Sequence, residues 1–160
     1  MTHGPLHLLP RGALTILKEI GRHVLRRPVV GIVLVARRGD GAIALIRRGD
    51  TGTWALPGGT LEWNETLRVA AARELHEECG AELVSLGPLA GVYSRPDRDP
   101  RFHAVTIVAT AVIGDGLRGP SNPVEIREAR FFAEAELPAD LAMGTGDMLR
   151  SALRGELVLE

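Results

Sequence analysis

Three glutamates lie close together in the segment 56–81 of the chain. Glu74, Glu77 and Glu78 have the i, i+3 and i+4 spacing that places side chains on one face of an α-helix. Carboxylates on one turn raise each other's pKa unless a cation offsets their repulsion. Arg73 is the only cation inside the run RELHEE. The pattern therefore indicates a site for a hard divalent cation such as Mg²⁺, which prefers oxygen ligands.

A solvated acidic helix face is the alternative interpretation, since most charge runs are of that kind. The residues that precede the helix favour the metal site. Pro57, Gly58 and Gly59 form a tight loop, and glycines permit φ > 0 and a close approach of backbone to a ligand or ion. Main-chain carbonyl or N–H groups of this loop are therefore expected beside the carboxylates.

Hydrophobic periodicity predicts the elements that position these groups. Helices are predicted over residues 12–26, 66–79 and about 139–154. Strands are predicted over residues 29–38, 42–48, 82–93, 102–113 and 125–133, with loops at 49–59, 94–101 and 114–123. The first two strands form a hairpin, and their Val, Ile and Leu content predicts that both faces are covered. This order of elements indicates an α+β fold, a sheet flanked by helices.

Length and charge limit the classes of protein to consider. A chain of 160 residues with a net charge of −1 suggests one domain and gives no global case for a membrane or nucleic-acid partner. Cys79 is the only cysteine, so no internal disulfide is possible, and we expect it to be an inert helix residue. No apolar run is long enough to span a bilayer, and no signal peptide is apparent. A cytoplasmic protein is expected.

The segment from Gly59 to Ala81 resembles the Nudix box, G-x5-E-x7-R-E-U-x-E-E-x-G-U, in which U is a bulky aliphatic residue. All seven fixed letters match, with Glu65 as the first glutamate and Leu75 as the first U. The second U is Ala81, which is smaller than usual. The wider resemblance runs from about residue 29 to 138. It implies an α/β/α sandwich with a mixed sheet, to which residues 1–27 add a helical extension before a domain at 28–160.

The resemblance implies a metal-dependent hydrolase that uses Mg²⁺ or Mn²⁺ to cleave a nucleoside diphosphate linked to another group. Glu74 and Glu78 correspond to the main metal ligands, Glu77 to a further ligand, directly or through water, and the Gly58 carbonyl to an additional one. The general base is then Glu74, Glu77 or a glutamate from a later loop. Glu125 is the candidate outside the box, with an exposed strand-end residue as the alternative.

Three other residues of the box are expected to support the site. Arg73 is expected to orient a glutamate such as Glu65 through a charge-assisted pair. Glu65 is otherwise a first-turn glutamate that the helix dipole favours. Gly59 belongs to the loop that brings backbone close to the carboxylates.

The substrate is expected to be bound by residues outside the box. Arg95, Arg98 and Arg101 lie in one predicted loop, where guanidinium groups can pair with phosphate, although a solvated charged loop is the alternative. The RDPR run resembles ADP-ribose and nucleotide-sugar pyrophosphatases. The compact box and short loops also resemble nucleoside triphosphatases of the MutT type. A nucleoside diphosphate sugar is the preferred interpretation.

Further substrate contacts are predicted near the glycine loop. Arg47 and Arg48 end the second strand, and one of them is expected to face the phosphates, because alternate residues point to opposite faces. Trp54 and Tyr93 are candidates for stacking on a base, and Trp54 is equally compatible with a core position.

Two other hypotheses concern partners. A non-catalytic nucleotide-sensing module is disfavoured, because every box glutamate is present and no helix-turn-helix extension or basic stripe for duplex nucleic acid is apparent. The N-terminal helix either caps the sheet of its own chain or packs against a second subunit in a homodimer.

Overall fold

The computed structural model describes residues 15–17, 19–21, 27–142 and 144–160, and eight strands of these residues form one mixed sheet. The strands are β1 (Val29–Arg37), β2 (Ile43–Arg48), β3 (Trp54–Ala55), β4 (Gly58–Thr60), β5 (Leu83–Tyr93), β6 (Ala104–Ile113), β7 (Ile126–Phe132) and β8 (Val158–Leu159). After the helical residues 15–17 and 19–21, the helices are α1 (Leu67–Glu74), which continues as a π-helical turn (Leu75–Cys79), and α2 (Thr145–Leu153), with a 3-10 turn at Glu134–Glu136. The predicted strands are confirmed to within two residues at each end.

Strand β1 is the centre of the sheet. It runs parallel to β6 along its whole length, from Val29 opposite Ala104 to Arg37 opposite Val112. Its other edge is shared between β2, where Arg37 faces Ile43, and β4, both antiparallel. The sheet order is β3-β2-β1-β6-β5-β8, with β4 attached to β1 and β7 to β2. The predicted hairpin, the mixed sheet and the α+β class are confirmed.

The sheet is covered on both faces. Along β1, Ile32 and Leu34 pack into one apolar cluster with Ala71 of α1, whereas Val35 packs into a second cluster with Leu149 of α2. Successive side chains of a strand point to opposite faces, so an unbroken apolar run fills two cores. The architecture is therefore the predicted sandwich of helix, sheet and helix.

Residues 49–59, predicted to be largely loop, contain strand β3 and the start of strand β4. Strand β3 pairs with β2, with Ala55 opposite Ile46, and β4 pairs with β1, with Gly58 opposite Val33. Both strands are too short to show a period in the sequence, and partners from elsewhere in the chain define them.

The last helix is shorter than predicted. Residues from 139 onward first run beside Trp54, whose N–H donates to the Asp140 carbonyl at 3.1 Å and whose carbonyl accepts from the Ala142 N–H at 2.7 Å. Helix α2 begins only after Gly144, which has a left-handed φ of 73°. Strand β8, parallel to β5, was not predicted at all.

The N-terminal region is described only in part. Residues 15–17 and 19–21 are helical, as predicted, and the rest of the predicted helix at 12–26 lies outside the described residues. The boundary between an extension and a domain at residue 28 stays a prediction. Among the helices that the structure describes, none is long and apolar enough to cross a membrane.

Candidate active site

Helix α1 begins at a capped N-terminus. The Oγ1 atom of Thr66 accepts a hydrogen bond from the Val69 N–H at 3.4 Å, which satisfies one of the free donors of the first turn. Asn64, two residues earlier, has a φ of +66°, a conformation that asparagine tolerates better than most side chains. The turn before the helix is therefore encoded locally.

The helix changes its winding where the last glutamates lie. Residues Leu75–Cys79 form a π-helical turn, which ends at Gly80 with a left-handed φ of 60°. The predicted helix over 66–79 is confirmed, but its last five residues, Leu75–Cys79, have π-helical winding. A π-helical turn adds a residue to one turn and redirects the side chains that follow, and such turns are frequent at functional sites. This one carries Glu77 and Glu78.

Arg73 connects three glutamates of the site. Its Nε and Nη2 atoms donate to the two carboxylate oxygens of Glu65 at 2.9 and 3.1 Å. Its Nη1 atom donates to Glu74 at 2.9 Å and to Glu77 at 3.2 Å, and Nη2 also reaches the Thr60 carbonyl at 3.0 Å. The Glu65 carboxylate raises the pKa of Arg73, and Arg73 lowers the pKa of Glu65. This arginine therefore ties α1 to β4 and fixes Glu65.

The glycines of β4 make room for the carboxylates. A Cβ atom at Gly59 would lie 2.2 Å from the Glu74 Oε1 atom, closer than any contact allows. The Gly58 N–H donates to the Glu78 Oε2 atom at 2.8 Å. On the other side of β4, a Cβ at Gly31 would lie 2.7 Å from the Gly59 carbonyl oxygen. The backbone of β4 is thus packed directly between β1 and the glutamates.

Burial and repulsion make the ionised carboxylates costly. Glu74 is 8 % exposed, and its pKa is raised by burial, with Glu77 and Glu125 adding to the effect. Burial also raises the pKa of Glu78 to about 8, and Glu74 and Glu125 contribute, although the Gly58 N–H opposes the shift. The positive charge near these carboxylates is therefore too small to offset their burial and mutual repulsion.

Glu125 lies in the same cleft as the box glutamates. This cleft has a volume of about 530 Å³. Its lining consists of Arg73, Glu74, His76, Glu77, Glu78, Ser121, Asn122, Glu125 and Ile126. Glu125 is exposed, precedes β7 and makes no ion pair with a described residue; Asn122 Nδ2 lies 3.5 Å from its Oε2 atom. The fold therefore brings the four predicted carboxylates to one cleft.

The cleft offers the donors of a metal site without a finished ligand geometry. Among the residues that the structure describes, no three His, Cys, Asp or Glu side chains are arranged to hold one ion. Arg73 engages Glu74 and Glu77, and the Gly58 N–H engages Glu78. The donor set nevertheless fits a hard divalent cation, because it consists of carboxylate oxygens whose repulsion a cation would offset. The predicted ligand set stays a prediction.

A second cavity, of about 150 Å³, adjoins the glycines of β4. We call it the arginine pocket. Its charged lining is formed by Arg48, Arg98, Asp99 and Arg101, with Phe102 beside them. Its apolar lining includes Val29, Val33, Leu56, Ala104 and Met148, and it is bounded by Gly58, Gly59 and Thr60. The β4 backbone therefore lines this pocket and also contacts Glu74 and Glu78, which line the cleft.

Arg48, rather than Arg47, faces this pocket. Arg47 donates from Nε to the Gly52 carbonyl at 3.0 Å and from Nη1 to Glu128 at 3.3 Å, and it does not line the cavity. Arg48 lines the pocket and is held by Asp50 through two hydrogen bonds of 2.9 and 2.7 Å. The alternation of side chains along β2 thus selects one of the two predicted arginines.

The arginines of the predicted loop are paired with carboxylates. Arg101 donates to both oxygens of Asp99, at 3.0 and 2.7 Å. Arg98 donates to both oxygens of Glu160, at 2.6 Å each. Arg95, the most exposed of the three, lies 3.3 Å from Glu160 and does not line the pocket. Arg98 and Arg101 line the pocket. Because each is paired with a carboxylate, the positive charge of the pocket is smaller than the three arginines of the sequence suggested.

The two aromatic residues predicted to stack on a base are in the core. Trp54 is 7 % exposed, with its ring edge-on to Phe132 at a centroid distance of 4.8 Å. Tyr93 is 2 % exposed, and the Arg98 guanidinium lies 4.7 Å from its ring centroid. Neither ring is available to a base: Trp54 takes the core position that was its alternative, and the stacking expectation for Tyr93 is corrected.

Sequence reasoning missed Phe102, Asp99 and Glu160. Phe102 is 37 % exposed, lines the arginine pocket and lies under the Arg101 guanidinium at 5.1 Å. An aromatic residue directly after a charged loop was an available signal for it. Asp99 was visible in the RDPR run, whereas nothing local marks Glu160, whose partner Arg98 is 62 residues away.

Cys79 is expected to resist thiol reagents in the folded protein. Its side chain is fully buried, and burial raises the pKa of its thiol to about 12, with Glu78 contributing. Because the thiolate is the reactive form, dithionitrobenzoate at pH 8 should modify no thiol in the native protein. One equivalent should react in guanidinium chloride. Rapid reaction of the native protein would contradict this placement.

The comparisons with known proteins agree with the fold and the site. A family model described as NUDIX domain matches residues 25–152, a segment that contains both cavities and α1. The chain belongs to the NUDIX domain family.

Relatives and solved structures give the same family. An ADP-ribose pyrophosphatase from Methanocaldococcus jannaschii is 43 % identical over 103 residues, which are 62 % of this chain and 59 % of that protein. A MutT NUDIX hydrolase structure from Burkholderia pseudomallei has a TM-score of 0.68 at 32 % identity, over 79 % of this chain and 98 % of that one. The NUDIX domain of Shewanella oneidensis NrtR, complexed with ADP ribose, shares the fold at 18 % identity, with a TM-score of 0.72 over 92 % and 99 % of the two chains. The chain spans less than two thirds of the length of the curated relatives that it matches.

Proposed function

We propose that this chain is a divalent-metal-dependent pyrophosphohydrolase that cleaves a nucleoside diphosphate linked to a sugar, with ADP-ribose as the representative substrate. One observation carries the proposal: the glycines of β4 border the arginine pocket and also contact Glu74 and Glu78. A pyrophosphate lying along β4 would have carboxylates that attract a cation at one end and guanidinium groups at the other.

The metal is proposed to be Mg²⁺ or Mn²⁺. Glu74, Glu77 and Glu78 would hold it, with the Gly58 carbonyl as a further ligand. When bound, such an ion offsets charge on the phosphoryl oxygens and lowers the pKa of a water molecule. The chain's own contribution is the position of the carboxylates, which Arg73 and the β4 backbone fix.

A carboxylate must accept the proton of the attacking water. Glu74, Glu77 and Glu125 are the candidates, and the contacts favour Glu125. Arg73 engages the carboxylates of Glu74 and Glu77, whereas Glu125 is exposed to the cleft without an ion pair to a described residue. Its carboxylate is therefore free to accept a hydrogen bond from water.

The arginine pocket is proposed to bind the rest of the substrate. Arg48 and Arg101 present guanidinium groups suited to phosphate oxygens, and Phe102 offers an exposed ring for a base or sugar. A relative that is 43 % identical is an ADP-ribose pyrophosphatase, and this similarity favours ADP-ribose over other groups. The proposed partner is thus a nucleotide sugar, and neither a membrane nor duplex nucleic acid is proposed as a partner.

A nucleoside triphosphatase of the MutT type is the second candidate function. It is favoured by the 32 % identity to a MutT NUDIX hydrolase that aligns over 98 % of its own chain. Both candidates use the same carboxylates, so they differ only in what the arginine pocket accepts.

Product analysis separates the candidates. The purified protein is incubated with Mg²⁺ and, in separate reactions, ADP-ribose, other nucleotide sugars and nucleoside triphosphates. ADP-ribose should give AMP and ribose 5-phosphate with the highest kcat/KM of the panel. Monophosphate and pyrophosphate formed preferentially from a triphosphate would replace the first proposal by the second. Binding of ADP-ribose with no product after long incubation would instead support a sensing module.

Cytoplasmic location and a homodimer through the N-terminal helix are kept as proposals. The lone buried thiol is compatible with a reducing compartment. In the described part of the N-terminal segment, Ile16, Leu17 and Ile20 are at least half exposed, as an element that packs on another surface would be. Sedimentation that gives a monomer at micromolar concentration would exclude the dimer.

A further inference from the structure

Residues 158–160 are attached to strand β5 and to the loop at 94–101 that carries Arg95 and Arg98. Strand β8 runs parallel to β5, with Val158 opposite Gly91. Beyond it, the Glu160 N–H donates to the Val92 carbonyl at 3.0 Å, and the Ser94 hydroxyl donates to the Glu160 carbonyl at 2.8 Å. Main-chain contacts therefore fix the position of Glu160 beside the start of the loop.

The Glu160 side chain clamps Arg98. The Nε and Nη2 atoms of Arg98 donate to its two carboxylate oxygens at 2.6 Å each. The Arg95 N–H donates to the same carboxylate at 3.3 Å. The side chains of Arg98 and Glu160 are 13 % and 18 % exposed, so this pair is better shielded than an ordinary surface pair. Arg98 holds the pKa of Glu160 at about 2, and the carboxylate is ionised at any ordinary pH.

The other contacts of Arg98 hold its guanidinium beside the arginine pocket. The plane lies over the Tyr93 ring at 4.7 Å. The Nη1 atom, which Glu160 does not engage, is 3.9 Å from the Asp147 carboxylate. Arg98 lines the arginine pocket together with Arg48 and Arg101. Glu160, Asp147 and the Tyr93 ring therefore hold the guanidinium of Arg98 in place as part of the pocket lining.

We propose that Glu160 is a positioning residue: by clamping Arg98 it fixes the guanidinium in the lining of the arginine pocket, where it would bind the anionic or hydroxyl-rich part of the substrate. This inference rests on the proposed function. A long, flexible side chain loses rotamer freedom when it binds a ligand, and a side chain that is already held loses less. The clamp therefore acts on substrate binding and not on the chemical step at the glutamates.

The test is the steady-state kinetics of Glu160→Gln with ADP-ribose and Mg²⁺. Glutamine keeps the size of the side chain but removes its charge and one acceptor oxygen. The KM should rise about 3- to 10-fold, the effect of ordering one long side chain, with kcat within twofold of wild type. Glu156→Gln is the matched control, because Glu156 makes the same two-point pair with Arg154 at 2.7 and 2.8 Å on the open surface. Its KM should not change.

A double variant tests whether Glu160 acts through Arg98. Arg98→Gln alone should raise KM, and Arg98→Gln combined with Glu160→Gln should raise it no further. Arg98→Lys keeps the charge and Glu160 but cannot make the two-point pair, so its KM should rise as in Glu160→Gln. If Glu160→Gln folds poorly, the KM of Arg98→Lys tests the two-point pair in its place.

Three results would overturn the proposal: an unchanged KM in Glu160→Gln, an additive increase in the double variant, or a wild-type KM in Arg98→Lys. Failure of the proposed function is distinguishable, since the wild-type protein would then turn over no ADP-ribose at all. That outcome would remove the role of Glu160 together with the function, whereas turnover with an unaffected KM would remove the role of Glu160 alone.

Discussion

Glu78→Gln is expected to reduce Mg²⁺-dependent turnover by about 100-fold or more while it leaves the fold intact. Glu78 is expected to bind the cation directly, and loss of a ligand charge costs more than the 10- to 100-fold typical of residues that only support a ligand. Glutamine retains an oxygen that can accept the Gly58 N–H, which the carboxylate accepts at 2.8 Å. The backbone contact to β4 is therefore preserved.

The stability of this variant provides an independent readout. Glu78 shares its cleft with Glu74 and Glu125, and removing one of several neighbouring negative charges relieves repulsion. In metal-free buffer the melting temperature of Glu78→Gln should therefore be no lower than that of wild type, whereas added Mg²⁺ should stabilise the wild type more. Initial rates with ADP-ribose and thermal melts with and without Mg²⁺ measure both effects.

Glu82→Gln is the matched control for that experiment. Glu82 lies four residues beyond Glu78, is exposed and does not line the cleft, so its rate and its response to Mg²⁺ should equal those of wild type. A Glu78→Gln enzyme with a wild-type rate would remove Glu78 from the metal site and with it the basis of the assignment.

Gly59→Ala is expected to have the second large effect. The added Cβ atom would lie 2.2 Å from Oε1 and 2.6 Å from Cδ of Glu74, so the carboxylate must leave its place. That movement separates Glu74 from the Arg73 Nη1 atom, 2.9 Å away. Because Glu74 is 8 % exposed, little space is available for relaxation. We expect kcat to fall by at least about 50-fold, as a displacement of 1 Å can cost about 100-fold, and stability to fall by about 1–3 kcal/mol.

Gly39→Ala controls for the general cost of replacing a glycine. An added Cβ there meets no atom within 4 Å, and the residue has no left-handed φ. Its kcat and urea midpoint should match those of wild type. Rates are compared at a temperature well below the melting point of Gly59→Ala, so that a lower kcat reports the site and not the folded fraction. A wild-type kcat in Gly59→Ala would show that the position of Glu74 is not required.

Much of the fold could be predicted because its signals are local. The apolar runs of β1 and β2 show that both faces are buried, since only a strand between two layers has no polar alternation. The helix that carries the glutamates is marked by Thr66 at its start and Gly80 at its end. The strands that were missed, β3, β4 and β8, have two or three residues each, and only their pairing partners define them.

The candidate site likewise has features that the sequence predicts and features that it does not. Glu65, Arg73, Glu74, Glu77 and Glu78 lie within fourteen residues, so their types and spacing predict that they act together. The sequence did not predict that a π-helical turn would redirect the last two, because this turn depends on how residues 75–79 pack against the sheet.

The sequence by itself determined the types and spacing of the groups that could do chemistry: a carboxylate cluster that follows a glycine-rich turn within one contiguous segment. Only the tertiary structure decided which other side chains lie near the carboxylates and in the arginine pocket. It buried Trp54 and Tyr93, turned Arg48 rather than Arg47 toward the pocket and placed Phe102 within it. It also joined Arg98 to Glu160 across 62 residues. The reason is physical, since contacts between distant residues depend on strand register and on the faces of the sheet, which no local pattern specifies.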